Sequence, residues 1–385
     1  GIFDDSVELS QHDPDVQVWD DLPEDEKKLY LRMMEVWAGF VTYTDEQFGR
    51  VLDFLEDIGE LDNTLIMVIS DNGASPEGGV NGTLNENDFF NNIATDLKAN
   101  LAAIDTLGSP DHYNHYAWGW ANAGNTPFKR WKKETFRGGT SDMFVISWPA
   151  KIEADGKWRQ QYGHAIDMVP TVLDLIGIDP PESIKGVKQD PIEGVSLAPT
   201  VTNADAADVH TTQYYEVLGS RSIYHEGWRA ECGYPGPNYK TGKERGHTVG
   251  DPIHAKDIEE LDKVWELYDL RSDPTERNDL AKENPDKLKE LIDLWYSEAK
   301  KHSVLPLQGT IGQRVSFPRP MPGRATDKHV YFPGAPVAAL VAPNTYNRPH
   351  TITAEVHVPK GGAEGVIYAV GAHAGGYTLF VKDGK

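Results

Sequence analysis

The chain has 385 residues and a formal net charge of −23, from 60 acidic and 37 basic residues. Such a surface repels nucleic acid and anionic lipid, so the sequence argues against both as partners. Hydrophobic residues make up 39% of the chain, which is enough for a globular protein of two or three domains. No run of about 18 apolar residues occurs, so no membrane span is expected.

Cysteine content and the chain ends bear on cellular context. A single cysteine, Cys232, rules out an intramolecular disulfide framework and leaves the compartment open between a secreted or periplasmic location and the bacterial cytoplasm. The chain begins Gly-Ile-Phe-Asp-Asp, with neither an initiator methionine nor a signal peptide, and ends inside a β-rich region. We therefore expect a fragment of a longer protein, of unknown oligomeric state.

Residues 24–58 are predicted to form one long amphipathic helix. Pro23 suits its first turn, and the acidic residues that follow complement the helix dipole. The side chains that recur at helical spacing, and should form the buried face, are Leu29, Met33, Val36, Trp37, Phe40, Thr44, Phe48, Val51, Leu52 and Leu55. The apolar run 64–70 should then form a strand with both faces buried, as in a largely parallel sheet.

The middle of the chain is predicted to combine a long loop with further α/β elements. Residues 74–125 are rich in Gly, Asn and Asp, and loops of this length inside a domain are usually functional. A second apolar strand is expected over 143–148 and a helix over 166–176. Together these elements predict an α/β domain over residues 1–205, with a mixed sheet sandwiched by helices.

The rest of the chain is predicted to hold two further parts and a linker. Short strands and a helix over 285–302 should form a small antiparallel α+β subdomain at 206–308. Pro and Gly punctuate residues 309–328, which is typical of a linker. Alternating strands over 329–385 predict a partial β-sandwich. The strands expected in these parts are 213–217, 222–224, 228–232, 265–270, 351–358 and 377–381.

The strand 64–70 ends at two oxygen-bearing side chains, Asp71 and Asn72. Ligands of open α/β sheets bind beyond the carboxyl ends of the strands, and carboxylate and carboxamide oxygens suit a hard divalent cation. Asp-Asn-Gly is also excellent turn chemistry, so a plain Asx turn explains the tripeptide about equally well.

A cationic stretch, Lys129-Arg130-Trp131-Lys132-Lys133, follows downstream and closes on two glycines. An ammonium group there could stabilise charge that develops on a leaving oxygen. A lone lysine is more often a solvated surface residue, and spacing alone does not choose among these cations. A cation site together with a lysine nevertheless predicts a pocket for a tetrahedral oxyanion.

Aromatic and histidine residues crowd the end of the long loop. His112 and His115 could donate or accept protons, although histidines in such loops are more often packed or exposed residues. Trp118 and Trp120 either line the mouth of a substrate site or anchor the loop. The triplet Asn81-Gly-Thr83 fits a glycosylation acceptor, which is a weak pattern.

Taken together, these segments resemble the arylsulfatase family of the alkaline-phosphatase-like superfamily. The matching stretches are Gly59-Glu-Leu-Asp-Asn-Thr-Leu-Ile-Met-Val-Ile-Ser-Asp-Asn-Gly73, Asn125-Thr-Pro-Phe128, Gly138-Gly-Thr140, Phe144-Val-Ile-Ser-Trp-Pro149, Asp167-Met-Val-Pro-Thr-Val-Leu-Asp-Leu-Ile-Gly177 and Trp265-Glu-Leu-Tyr-Asp-Leu270. In order and spacing they cover about residues 1–305. The tail 329–385 resembles the additional β-domain of longer bacterial arylsulfatases.

The resemblance implies an alkaline-phosphatase-like fold and hydrolysis of sulfate monoesters, either aryl sulfates or sulfated carbohydrates. It implies a calcium ion held partly by Asp71 and Asn72, with Mg²⁺ or Mn²⁺ as alternatives. It also implies a catalytic, sulfate-contacting lysine at Lys132, six residues before Gly138. His115 is a further candidate for substrate binding. Family enzymes use a formylglycine, made from Cys or Ser in a Cys/Ser-x-Pro/Ala-x-Arg motif, whose hydrate attacks sulfur.

The sequence departs from the family because it contains no Cys/Ser-x-Pro/Ala-x-Arg motif. The nucleophile, the paired aspartates that supply the other metal ligands, and the first strands of the sheet would all precede residue 1. We therefore expect the carboxyl-terminal part of a sulfatase, inactive on its own. The alternatives are a phosphonate monoester or phosphodiester hydrolase of the same superfamily and a non-catalytic protein that binds sulfated glycans.

Overall fold

The apolar periodicity of the amino-terminal region produces a 34-residue helix, Glu24–Asp57, in this computed structural model. The structure describes residues 3, 5–13, 16–90, 93, 95–184, 186–233, 262–308 and most of 328–383. The α-helices in these ranges are α1 (Glu24–Asp57), α2 (Asn87–Phe90), α3 (Leu97–Ala102), α4 (Trp118–Gly124), α5 (Arg137–Thr140), α6 (Met168–Ile176), α7 (Ala198–Thr202) and α8 (Pro285–Lys301). The strands are β1 (Ile66–Ile69), β2 (Phe144–Ser147), β3 (Ser183–Ile184), β4 (Val187–Lys188), β5 (Thr212–Val217), β6 (Ser220–His225), β7 (Trp228–Cys232), β8 (Glu266–Asp269), β9 (Gly365–Ala372) and β10 (Gly375–Val381).

The strands named above pair only in antiparallel fashion. β1 pairs with β2, with Ile69 opposite Phe144, and β5 to β8 form a four-stranded sheet in chain order. β3 pairs with β4, and β9 with β10. The mixed α/β class and the small antiparallel sheet are confirmed. The expectation of a largely parallel sheet is wrong for this part of the chain, because the neighbour of β1 runs in the opposite direction.

The small sheet and helix α8 share the larger core. Leu291 and Trp295 of α8 are fully buried against Ile223 and Leu267 of the sheet. The Trp295 indole N–H donates to the Tyr215 carbonyl oxygen over 3.0 Å, which satisfies its polar atom inside the core. Helix α8 ends at Lys301, one residue before the predicted end, so the predicted helix 285–302 is confirmed.

Only the first half of α1 is buried. Leu29 and Met33 pack against Leu107 and Ala117 with at most 3% of any of them exposed. Further along the same helix, the apolar face that the sequence predicts to be buried lies open, and Phe40 is 61% exposed. The other large apolar side chains of α1 that are exposed are Leu31, Trp37, Val41, Tyr43, Phe48, Val51 and Phe54.

The paired strands β1 and β2 are also partly open. Ile69 is 40% and Val145 is 52% exposed, so the prediction of a strand buried on both faces is wrong for this chain. No described residue packs over these side chains closely enough to remove them from water. Exposed apolar area of this extent is typical of a surface that another segment or partner covers.

The chain divides into two units, Gly1–Val315 and Ser316–Lys385. The described part of the second unit has one hairpin, β9–β10, which includes the expected strand 377–381. Residues 351–358 do not form a strand, which contradicts the prediction from their alternating pattern. Among the described helices, none is both long and apolar enough to cross a membrane.

Candidate anion and metal site

The loop after β1 places Asp71 and Asn72 beyond the end of the strand, as the sequence predicts. The Asn72 side chain donates from Nδ2 to the Gly73 carbonyl oxygen over 3.0 Å, so its Oδ1 oxygen is the atom suited to a cation. Continuing the β1–β2 register past its last pair sets Asp71 opposite Asp142. Burial, and then the charge of Asp71, raise the pKa of Asp142 to about 6.

Two main-chain hydrogen bonds join this loop to the segment that carries the lysines. The Gly73 N–H donates to the Gly139 carbonyl oxygen over 3.3 Å, and the Lys132 N–H donates to the Ala74 carbonyl oxygen over 3.1 Å. A Cβ on Gly73 would lie 1.7 Å from the Gly138 carbonyl oxygen, so the backbones touch only because residue 73 has no side chain. Lys132 is thereby anchored to the loop of the candidate metal ligands.

Two cations of the basic run are used by the fold. Lys129 lies against the small sheet, with Nζ 2.9 Å from Glu266 Oε2. Arg130 contacts Asp13 at 2.6 Å and Glu134 at 3.0 Å, and all three side chains are at most 3% exposed. Buried charges need such partners. These two cations therefore have structural roles, which spacing in the sequence did not reveal.

The other two cations share one carboxylate. Lys132 Nζ lies 2.7 Å from Glu77 Oε2, and Lys133 Nζ lies 2.9 Å from Glu77 Oε1. Burial alone would raise the pKa of Glu77, but hydrogen bonds and charges from the two lysines outweigh burial and hold that pKa at about 2. The Lys132 side chain is 32% exposed and that of Lys133 19%, so Lys132 is the more accessible to a ligand.

Lys133 adopts a backbone conformation that residues with a side chain rarely use. Its φ angle is +77°, in the left-handed region. Burial lowers the pKa of its ammonium group, and the contact with Glu77 opposes that effect. Strained residues of this kind persist where the surrounding structure fixes them, which is common at functional sites.

The structure places one of the two candidate histidines against Gly78, the residue that follows Glu77. His115 Nδ1 lies 3.0 Å from the Tyr116 carbonyl oxygen, and a Cβ on Gly78 would be 2.8 Å from the same nitrogen. His115 therefore lies beside the loop that carries the shared carboxylate, although its role in substrate binding stays a prediction. His112 instead contacts the Thr106 hydroxyl oxygen at 2.8 Å, at an exposed position.

The oxygen donors suit a hard cation in kind but are few. Calcium takes about six to eight oxygen ligands. In the part of the chain that the structure describes, no three or more His, Cys, Asp or Glu side chains converge as a metal site. Asp71 and Asn72, with Asp142 close by, would therefore supply part of a ligand shell, and their role as metal ligands stays a prediction.

Sequence reasoning missed three residues that shape this site: Glu77, Asp142 and Asn125. The Asn125 Oδ1 atom accepts from the Ala74 N–H over 2.8 Å, and its Nδ2 donates to the Arg130 carbonyl oxygen over 2.9 Å. This one amide therefore ties the two loops together. A signal for Glu77 was present, because it is the first acidic residue after Asp-Asn-Gly, four positions beyond Gly73, in a chain with a distant lysine pair.

A pocket of about 440 Å³ lies next to the long loop and is mostly aromatic and apolar. Trp19, Trp118 and Trp120 line it. The indole N–H groups of Trp118 and Trp120 each donate to a backbone carbonyl oxygen over 2.7 Å, at Pro76 and Tyr30. Trp118 and Trp120 thus anchor the loop and line a cavity. That this cavity is the mouth of a substrate site stays a prediction.

Comparison with known proteins matches residues 8–178 to the family model described as sulfatase. An uncharacterized sulfatase of Schizosaccharomyces pombe is 30% identical over 305 residues, covering 78% of this chain and 50% of the relative. The arylsulfatase of Klebsiella aerogenes is 29% identical over 199 residues, covering 51% of this chain and 41% of the relative. A solved structure of a protein in complex with its substrate D-glucosamine-2-N,6-O-disulfate superposes with a TM-score of 0.40 and 23% identity, covering 69% of this chain and 40% of that one. The chain spans half or less of the length of these proteins.

Proposed function

Because this chain belongs to the sulfatase family, we propose that it is the carboxyl-terminal part of a sulfatase that hydrolyses sulfate monoesters. An aryl sulfate is the first substrate class, and a sulfated carbohydrate the second. One observation carries the proposal: Lys132 is hydrogen-bonded through its backbone to the loop of Asp71 and Asn72. Binding of a tetrahedral oxyanion requires positive groups close together, and a metal ion and an ammonium group on these two touching loops would supply them.

Lys132 is the residue that would contact sulfate. Its ammonium group can donate hydrogen bonds to sulfate oxygens, and such charge-assisted bonds are the stronger kind. It would also stabilise negative charge that grows on the ester oxygen as the bond to sulfur breaks. Lys133 lies deeper beside it and adds positive charge.

Asp71 and Asn72 would hold the metal ion through a carboxylate oxygen and Oδ1. Calcium is the ion that the donor set favours, and Mg²⁺ or Mn²⁺ have the same preference for oxygen ligands. When bound, such an ion supplies positive charge that neutralises sulfate. The contribution of this chain is to fix those oxygens at the end of β1, next to Lys132.

The nucleophile of the parent would be a formylglycine in a segment that precedes this chain. Three observations support this part of the proposal. The chain spans half or less of its relatives, it contains no Cys/Ser-x-Pro/Ala-x-Arg motif, and the apolar faces of α1 and of the β1–β2 pair are open. On its own, the 385-residue chain would bind but not hydrolyse a sulfate ester.

The test is turnover of 4-nitrophenyl sulfate by the parent protein and by the 385-residue chain. We expect turnover by the parent alone, and a lower rate on 4-nitrophenyl phenylphosphonate and on bis(4-nitrophenyl) phosphate. Faster turnover of either phosphorus ester would favour the phosphonate or phosphodiester hydrolase. Turnover of the sulfate by the isolated chain would contradict the missing nucleophile, and a parent inactive on every ester would support a glycan-binding protein.

A further inference from the structure

A buried carboxylate lies between the two lysines of the candidate anion site. Glu77 is 3% exposed, and each of its two carboxylate oxygens contacts one ammonium group, at 2.7 Å for Lys132 and 2.9 Å for Lys133. Both oxygens are thus directed at the lysines. The carboxylate is not a surface ion pair formed by chance, because its own desolvation would be costly without these partners.

Ser75 fixes the orientation of this carboxylate. The Ser75 hydroxyl donates to Glu77 Oε2 over 3.0 Å, and its oxygen accepts from the Glu77 N–H over 3.2 Å. The turn that contains Glu77 therefore orients its carboxylate independently of either lysine. A rigid, charged group in contact with a substrate-binding cation sets the local potential as well as the geometry.

The charge of the hydrogen-bonded triad is +1. Lys132 and Lys133 contribute two positive charges, and Glu77, with its pKa held at about 2, is ionised at neutral pH and removes one. Glu86 acts on Lys133 through space and lowers the positive potential further. Although the site contains two lysines, the net positive charge that it presents to a ligand is therefore about that of one lysine.

We propose that Glu77 is a specificity-determining residue. It lowers the positive charge of the lysine pair, so that the pair favours a singly charged tetrahedral ester over a doubly charged one. The inference rests on the proposed function and deepens it, since it concerns the substrate class of the same site. It explains why the structure places a buried carboxylate where an anion is expected to bind.

The two ester classes differ in charge far more than in shape. A sulfate monoester carries one negative charge, whereas a phosphate monoester, with a second pKa near about 6, carries two at pH 8. Shape therefore discriminates weakly between them, and local charge discriminates strongly. Removing the charge of Glu77 raises the triad from +1 to +2, which strengthens attraction for the second charge of the phosphate ester.

The experiment measures binding of 4-nitrophenyl sulfate and 4-nitrophenyl phosphate to the 385-residue chain by titration calorimetry at pH 8. In the Glu77→Gln variant we expect the ratio of the two affinities to shift towards the phosphate by about tenfold, the effect of one charge in a partly exposed site. The variant keeps the shape of the side chain, and circular dichroism verifies that it folds.

A double variant separates charge from structure. Glu77→Gln combined with Lys133→Met returns the triad to +1, so the affinity ratio should return to that of the unaltered chain. A purely structural role of Glu77 predicts no such return. Glu290→Gln, which removes an equal charge from an exposed pair with Lys287 on α8, is the matched control and should leave the ratio unchanged.

The outcomes distinguish this inference from the function on which it rests. Binding of both esters with an unchanged ratio in Glu77→Gln overturns the role of Glu77 and leaves the proposed function intact. If the double variant has the same ratio of affinities as Glu77→Gln, the role of Glu77 is also overturned. Failure of the unaltered chain to bind 4-nitrophenyl sulfate at all overturns both.

Discussion

Lys132 and Glu77 lie 55 positions apart in the chain and form an ion pair of 2.7 Å between Nζ and Oε2. The long loop between them leaves the end of β1 and returns to it, so its two ends meet at the same place. Both ends of the loop therefore contribute to the candidate site, and the residues between them lie outside this contact.

Replacing Lys132 should remove the interaction with sulfate. For Lys132→Ala in the parent protein, we expect turnover of 4-nitrophenyl sulfate to fall by roughly a hundredfold or more, as when one electrostatic stabiliser of a developing charge is removed. Lys287→Ala, which removes a lysine from an exposed pair on α8, is the control and should keep normal turnover. Equal rates for the two variants would exclude Lys132 from the reaction.

Asp71→Asn should weaken calcium binding to the parent protein by at least about tenfold, because a neutral oxygen replaces a charged ligand. Titration calorimetry with calcium chloride measures this directly, without reference to activity. Asp62→Asn makes the same chemical change at an exposed position before β1 and should leave the affinity unchanged. Unaltered calcium affinity in Asp71→Asn would remove this residue from the metal site.

Gly73 should tolerate no side chain. A Cβ at this position would lie 1.7 Å from the Gly138 carbonyl oxygen, so Gly73→Ala must push the two loops apart. Gly39→Ala, in the middle of α1 with nothing within 4 Å, should instead stabilise the helix by about 0.5–1 kcal/mol. Thermal unfolding of both variants tests the contact, and a Gly73→Ala variant as stable as the unaltered chain would disprove it.

The two halves of α1 should respond differently to truncation in the 385-residue chain. Leu29→Ala removes a fully buried side chain and should cost about 2–5 kcal/mol of unfolding free energy. Phe40→Ala removes one that is 61% exposed, and should change stability by less than about 0.5 kcal/mol. Urea unfolding compares them. In the parent protein, Phe40→Ala should become costly, and a cost that stays small there would contradict burial of this face.

Acid should destabilise the chain partly through Glu77. The folded state holds the pKa of Glu77 at about 2, below its ordinary value of 4.5, so the ionised group stabilises the fold above about pH 4.5. That contribution, roughly 3 kcal/mol, is lost as the pH falls towards 2. Urea unfolding from about pH 6 down to 3 should therefore show a shallower decline for Glu77→Gln than for Glu290→Gln.

Local elements were predictable from the sequence because each has its own pattern. The helical period of the apolar residues in α1 and α8 predicts where each helix lies, and the observed ends differ from the predicted ones by at most one residue. The turns between β5, β6 and β7 are short, so their antiparallel pairing follows from proximity in the chain. The end of β1 could be read as a ligand position because an apolar run stops at Asp71.

What the sequence could not give depends on contacts between distant segments. Nothing in the spacing of the basic run shows that Lys129 turns to Glu266, 137 positions away. The pairing of Lys132 and Lys133 with Glu77 is equally non-local. The open face of α1 was mispredicted for a related reason, because helical spacing shows which side chains share a face and not what covers it.

Two backbones in direct contact, at Gly73 and Gly138, leave the site little freedom to rearrange. A shift of one loop has to carry the other with it, so a change of substrate cannot readily come from moving the lysine relative to the carboxylate at the end of β1. The long excursion between these loops has no such contact at Gly73 and Gly138, so it can change in length or sequence with less effect on their geometry. The chemistry would stay fixed while its surroundings diversify.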